Sequence, residues 1–275
     1  MGRYQWGDQM QIGCDTFLKA LEQWAPLSYA EEWDNCGLQV GRRDKAIGKV
    51  MIALTPGEAA IQAAVDNGVD MLLTHHPMIF KPTKNVTTDT VLGQSIIKLI
   101  RNDIDLYCAH TNLDMALGGV NDVLAKALQL QEVEILENIT EEYGIGRVGN
   151  LAEPMTLEQF LSATAARLEC NHLAYQGDLQ CNVQKVALCG GSGISYLTAA
   201  KKAGADVYVT GDMKYHDAQL ASELGICVVD AGHFGTEKHI VKALAEFAEQ
   251  QGVEVVIFEE EDYMKHWHQY NPVSE

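Results

Sequence analysis

Three short clusters in the sequence combine imidazole and carboxylate: His75-His76 followed by Pro77, His110 with Asp114, and His233 with Glu237. With no thiolate among them, these ligand types suit Zn, Mn, Fe(II), Ni or Co and disfavour a closed structural zinc site. Taken singly, each residue has a plainer reading. Asp114 could cap a turn, Glu237 could belong to a capping box after Gly235-Thr236, and His110 could be a strand-end hydrogen-bond donor. Taken together at the ends of separate strands, they favour a metal site. Adjacent residues in extended chain point to opposite sides, so His75 and His76 serve two neighbouring ions more easily than one. Glu237 is placed to bridge such a pair through its two oxygens, and Asp114 to complete one ion. Two ions ~3.5–4 Å apart suit hydrolysis, with a bridging hydroxide as nucleophile. His110 is expected either to hold a ligand from outside or to carry a proton. Lys214, Tyr215 and His216 are either substrate contacts or an exposed first helical turn.

The elements that must position these residues follow from hydrophobic periodicity. Helical spacing covers Cys14–Trp24, Ala59–Asn67, Thr90–Arg101, Val120–Leu128, Leu157–Leu168 behind Thr156, Met213–Leu224 and a stretch from about Lys238 to Gln250. Apolar runs predict strands at Lys49–Leu54, Val69–Leu73, Asp105–Ala109, Ile226–Val229 and Val253–Phe258. Gly68 is read as a left-handed helix cap. Strand, helix and strand at this spacing imply right-handed crossovers and a parallel sheet, whose carboxyl edge is where ligands gather. The charged, glycine-interrupted segment from Glu132 to Glu153 gives no clear element and reads as the start of a second lobe.

An internal repeat supports two lobes. Laid without gaps over the stretch from Lys185, the stretch from Lys49 matches at an offset of 136 residues. Lys49-Val50 meets Lys185-Val186, Gly57 meets Gly193, Ala63-Ala64 meets Ala199-Ala200, and Gly68, Asp70 and Thr74 meet Gly204, Asp206 and Thr210. Where the first copy ends in His75-His76, the second ends in Gly211-Asp212. The expected fold class is therefore α/β (α+β), with two similar α/β lobes from an internal duplication and a metal site in the cleft between them. Residues 1–130 with 236–275 form the first lobe, and 131–235 the second.

Composition narrows the function classes. Usage of 47% hydrophobic and 21% charged residues in a 275-residue chain is ordinary for a globular protein. A formal net charge of −18 argues against wrapping nucleic acid or lying on an anionic membrane. No apolar run approaches the ~20 residues of a membrane helix, and MGRYQWGDQM lacks the order of a secretory signal, so a cytoplasmic protein is expected. Seven scattered cysteines without a CxxC pair read as reduced thiols. His266 and His268 in the acidic tail are read as solvated side chains.

The strings WDNCGLQVG, LLTHHPMIF, AHTNLD, TGDMKYHDA and AGHFGTE, in this order, resemble the GTP cyclohydrolase 1 type 2 homologues, the Nif-three-like dinuclear metal centre proteins, over about residues 15 to 260. The resemblance implies that His75, His76, Asp114, His233 and Glu237 bind two divalent ions. It also implies a toroidal homohexamer, a trimer of dimers, with metal sites facing an internal cavity. Cys36 within the first string and the lack of a long insertion between the lobes depart from the family pattern, and neither touches a proposed ligand. The implied activity is a metal-dependent hydrolase opening the GTP ring. A non-enzymatic metal-binding or regulatory scaffold is the alternative. The sequence shows no P-loop and no basic triphosphate clamp.

Overall fold

The computed structural model describes residues 11–266. The first part of the chain runs through β1 (Ile12–Gly13), α1 (Cys14–Trp24), β2 (Gly37–Val40), β3 (Ala46–Ile47), β4 (Lys49–Ala53), α2 (Glu58–Asp66), β5 (Met71–Thr74), α3 (Val91–Arg101), β6 (Asp105–Cys108), α4 (Thr111–Met115) and α5 (Val120–Ala127). It continues through β7 (Gln131–Asn138), β8 (Gly144–Thr156), α6 (Leu157–Arg167), β9 (Ala174–Gln176), β10 (Asn182–Leu188), α7 (Leu197–Lys202), β11 (Val207–Thr210) and α8 (Tyr215–Leu224). The last described elements are β12 (Cys227–Asp230), α9 (His233–Glu237), α10 (Ile240–Gln250) and β13 (Glu254–Ile257).

Two mixed sheets result. The first is five-stranded in the order β13-β4-β5-β6-β2, parallel except for β2. The second is six-stranded in the order β7-β8-β10-β11-β12-β9, with β10, β11 and β12 parallel. The central strands are apolar on both faces because both faces are covered. In β4, Val50 and Ile52 pack with Phe17, Leu18 and Leu244 from α1 and α10. Met51 and Ala53 face the opposite way, against Ile61 of α2 and Leu99 of α3. In the second sheet Val186, Leu188 and Val209 meet Phe160 of α6, while Tyr208 and Val228 meet Leu197 and Ala221.

Helix α5 serves two hydrophobic cores: Val120 belongs to the first, whereas Leu124, Ala125 and the following Leu128 belong to the second. Arg147, a buried guanidinium on β8, reinforces the same junction. It donates to both carboxylate oxygens of Asp122 at 2.8 and 2.6 Å and to the Ala116 carbonyl at 3.2 Å. A fork–fork ion pair of this kind fixes direction as well as distance.

The expected elements are present with small boundary shifts, and one region differs. The segment from Glu132 to Glu153 forms most of a long antiparallel hairpin, β7 and β8. Its glycines interrupt the apolar pattern because strands pass close there: a Cβ on Gly144 would lie 2.2 Å from the Glu137 carbonyl oxygen. Thr156 caps α6 in a full capping box with Gln159.

Two strand–helix–strand units pair in similar register. Val50 pairs with Met71 in the first sheet and Val186 with Val207 in the second, both at the same offset of 136 residues. Asp70 accepts hydrogen bonds from the backbone N–H of Gly48 and Lys49, and Asp206 does the same for Gln184 and Lys185.

Candidate metal centre

Strand β5 ends at Thr74, and His75 and His76 follow immediately as the chain leaves the sheet. The neighbouring strand β6 ends at Cys108, after which His110 caps the short helix α4 carrying Asp114. From the second sheet, β12 leads into α9, whose first and last residues are His233 and Glu237. Their spacing of four puts both side chains on one face of a helical turn. The carboxyl ends of parallel strands from both sheets thus converge on one point, as expected for ligand sites in such sheets.

Glu237 occupies the centre. Its Oε2 lies 2.8 Å from His76 Nε2 and 3.0 Å from His233 Nε2, while its Oε1 lies 3.6 Å from His75 Nε2. His75 Nε2 is also 3.6 Å from Asp114 Oδ1. The two carboxylate oxygens therefore face different imidazoles, and Asp114 stands on the His75 side. His76 Nε2 and His233 Nε2 approach to 3.3 Å.

Each of these imidazoles is held from behind through Nδ1. His75 Nδ1 donates to the Ala109 carbonyl at 2.8 Å, His76 Nδ1 lies 3.0 Å from Thr55 Oγ1, and His233 Nδ1 lies 2.7 Å from Asp212 Oδ2. Outer contacts of this type fix ring orientation and leave Nε2 for the centre. His75 Nε2 is the telling atom: it is fully buried, has no hydrogen-bond partner, and points between two carboxylates. A buried polar nitrogen of this kind costs about 1–3 kcal/mol unless something engages it. A divalent cation fits that requirement, and the nitrogen and oxygen donors present are the ones such ions take. Ligand atoms of His75, His76 and Glu237 lie within 4.8 Å of one another, as do those of His75, His110 and Asp114.

The electrostatics agree with a site built for positive charge. Burial alone would raise the Glu237 carboxyl, yet hydrogen bonding and charge from His233 and His75 hold it well below the usual carboxylate range. Burial opposes protonation of His75 and His233, but neighbouring carboxylates push them up to about 9 and about 10. Burial pushes Asp114 up to about 6 against the charge of His75. His76 goes down through burial and the charges of His75 and His233.

The backbone around the centre admits these groups closely. Gly191, in the turn after β10, has φ +59°, and a Cβ there would lie 2.2 Å from Glu237 Oε1. Only glycine fits that approach. Its N–H donates to Thr236 Oγ1 at 2.9 Å, and the N–H of Gly190 donates to Asn121 Oδ1 at 2.9 Å. Buried Asn121 in turn donates to the Asp114 carbonyl at 2.9 Å, so one side chain ties the two sheets' contributions together.

A cavity of about 640 Å³ opens onto the centre, lined by His76, His110, Asp114, His233 and Glu237 together with Trp33, Phe80, Tyr196, Met115 and Ile145. Trp33 and Phe80 meet edge to face with centroids 5.8 Å apart. Among the described lining residues there is no lysine or arginine.

Of the residues singled out from sequence, His75, His76, His110, Asp114, His233 and Glu237 are brought together. Lys214, Tyr215 and His216 are not in the lining of this cavity. Lys214 borders a second cavity of about 970 Å³ beyond His233, and Tyr215 is 81% exposed. His216 is exposed against the Tyr215 ring. The side chain of His266, and His268, lie outside the described residues. Sequence reading gives Asp34, Asp212, Thr55 and Asn121 no role, although Asp34, Asp212 and Thr55 hold imidazoles of the cluster from behind and Asn121 holds the Asp114 carbonyl.

Two α/β sheets whose strand ends converge on a histidine and carboxylate group able to hold a metal ion define the class of this protein. The chain belongs to the Duf34/NIF3 (NGG1p interacting factor 3) family, whose model matches residues 12–263. It is 39% identical over 234 residues to a protein of Clostridium perfringens named GTP cyclohydrolase 1 type 2 homolog, covering 84% of this chain and 89% of that one. A Methanocaldococcus jannaschii protein of the same name is also 39% identical over 234 residues, covering 84% of this chain and 92% of the relative. Among solved structures, a Bacillus cereus protein related to NIF3 superposes with a TM-score of 0.84 at 29% identity, covering 93% of this chain and 98% of that one. Reduced HcgD from M. jannaschii superposes with a TM-score of 0.78 at 36% identity, covering 90% and 98%.

Proposed function

We propose that this chain holds two divalent metal ions through His75, His76, Asp114, His233 and Glu237 and acts as a metal-dependent hydrolase on a small ring-bearing molecule. The carrying observation is the Glu237 carboxylate, which turns one oxygen toward His75 and the other toward His76 and His233. When bound, such ions supply Lewis acidity and a water of lowered pKa. The chain's own residues do the rest. His75, His76 and His233 present Nε2 atoms fixed by their Nδ1 partners, Asp114 adds an oxygen on the His75 side, and the Trp33 and Phe80 rings flank the mouth through which a substrate enters.

The names of the relatives point to GTP ring opening, and the aromatic wall suits a planar base. No lysine or arginine stands among the described lining residues, so the ions themselves are the charge a triphosphate would meet, and the aromatic wall is the part suited to the ring. Protein loaded with Mn, Zn or Fe is expected to turn over GTP or its bare nucleoside, followed by loss of purine absorbance. His75→Ala is expected to lose metal and turnover together. Turnover that persists in metal-free His75→Ala protein defeats the reading. The lack of a lysine or arginine clamp favours, as a second reading, a metal-holding scaffold without a nucleotide substrate. Two bound ions with no turnover of either compound would select it.

In the assembled form we infer a homohexamer in the cytoplasm, the state implied by family resemblance. Sedimentation velocity on the purified protein tests the oligomer.

A further inference from the structure

The three imidazoles around Glu237 share one device: Nδ1 bound from behind, Nε2 facing the centre. His110 has the same device, with a carboxylate behind it as His233 has. Its Nδ1 lies 2.9 Å from Asp34 Oδ2, and its ring stands 5.2 Å from that of His75 and 5.9 Å from that of His76. With Nδ1 engaged, Nε2 is the nitrogen left for the cavity His110 lines. A ligand atom of His110 lies within 4.8 Å of those of His75 and Asp114.

Asp34 is placed as though for that single purpose. Its carboxylate is fully buried. Oδ2 accepts from His110 Nδ1, from Thr111 Oγ1 at 2.6 Å, from the Thr111 N–H at 3.2 Å and from Cys36 Sγ at 3.0 Å, while Oδ1 accepts from the Asn35 N–H at 2.8 Å. A buried carboxylate is costly to keep charged unless hydrogen bonds compensate, and here five donors do so. An anion held this firmly keeps the proton of His110 on Nδ1 and the lone pair on Nε2. A carboxylate behind a histidine is the arrangement metal-binding imidazoles use to set tautomer and basicity.

We infer that His110 is a further metal ligand, joining His75 and Asp114 on one ion, and that Asp34 is its positioning residue. The inference rests on the metal reading above. It makes the two ions unequal: one is faced by His75, His110 and Asp114, the other by His76 and His233, with Glu237 between them.

Titration of the full-length protein with Co²⁺, followed by its visible absorption and by equilibrium dialysis, tests this. Wild-type protein should take two Co²⁺ per chain. His110→Ala should weaken one of them by about 10- to 100-fold, change the band intensity of that ion alone and leave the other as it was. Asp34→Asn should weaken the same ion by a smaller factor and add nothing in the His110→Ala background. Should His110→Ala fail to fold, His110→Gln, which retains a donor for Asp34, is read in the same way. If both ions bind to the His110 variant as to wild type, or if Asp34→Asn weakens binding further when His110 is gone, the inference is overturned. If wild-type protein binds no Co²⁺, the metal reading itself has failed instead.

Discussion

The ends of β5 and β11 occupy equivalent places in two matching strand–helix–strand units, yet they do different work. After Thr74 the first unit presents His75 and His76. After Thr210 the second presents Gly211 and Asp212. At the first of these positions the difference is forced by packing. A Cβ on Gly211 would lie 2.8 Å from the His233 nitrogen and 2.9 Å from the Gly232 carbonyl carbon, so no histidine can stand there while α9 does. At the second, Asp212 reaches His233 Nδ1 at 2.7 Å and also accepts from the Ser192 hydroxyl. One strand end gives its histidines to the cluster; its counterpart makes room for the helix bearing His233 and Glu237 and then orients that histidine. A matched backbone therefore builds one centre with two kinds of contribution rather than two centres.

Three changes would break or sharpen that contrast. The largest effect is expected from Gly211→His, which copies the first strand end into the second. The new side chain displaces α9, costing about 1–3 kcal/mol of stability by overpacking. Denaturant unfolding should show it, and no additional ion should appear. Were the variant as stable as wild type with a third ion bound, packing would not be what separates the two ends.

Asp212→Asn keeps the shape and removes the anion behind His233. The ion on the His76 and His233 side should bind about 10- to 100-fold more weakly, with the ion on the His75 side unaffected, as read by equilibrium dialysis. Equal weakening of both ions would mean that Asp212 acts on the whole cluster rather than on one ring.

The smallest effect is in pH dependence, and it differs with metal content. In metal-free protein His75 and His233 keep protons to higher pH than the unfolded chain, which releases them near about 6.5. Their folded values lie above their unfolded ones, so their contribution is fully present below about 6.5. It is lost as pH rises through about 9 for His75 and about 10 for His233. The same protons compete with an ion for nitrogen, so metal affinity should rise with pH over that interval and uptake should release protons. Melting curves of metal-free protein and proton-release calorimetry check the two signs.

Much of the cluster was legible in the sequence because its histidines and carboxylates sit where apolar runs stop, and such strand ends in parallel sheets share an edge. What the spacing did not convey was their local setting. His110 to Asp114 and His233 to Glu237 read as strand-end loops, with a helix starting near Glu237; both pairs are instead carried by short helical turns. The hairpin of β7 and β8 was hidden because Gly144, Gly146 and Gly149 break the alternation at the points where strands pass closely. Asp34 stands in the WDNCGLQVG string, and nothing local there reveals a partner 76 residues away. Lys214, Tyr215 and His216 follow the second strand end, but the turn into α8 carries them away from the cavity over the centre.

The central claim is that Glu237 is shared between two ions, and anomalous scattering at the metal edge from crystals of the purified protein tests it most directly. Two peaks per chain, one near His75 and Asp114 and one near His76 and His233, with a Glu237 oxygen on each, are the predicted result. A single peak, or two peaks with Glu237 bound to only one, would contradict it.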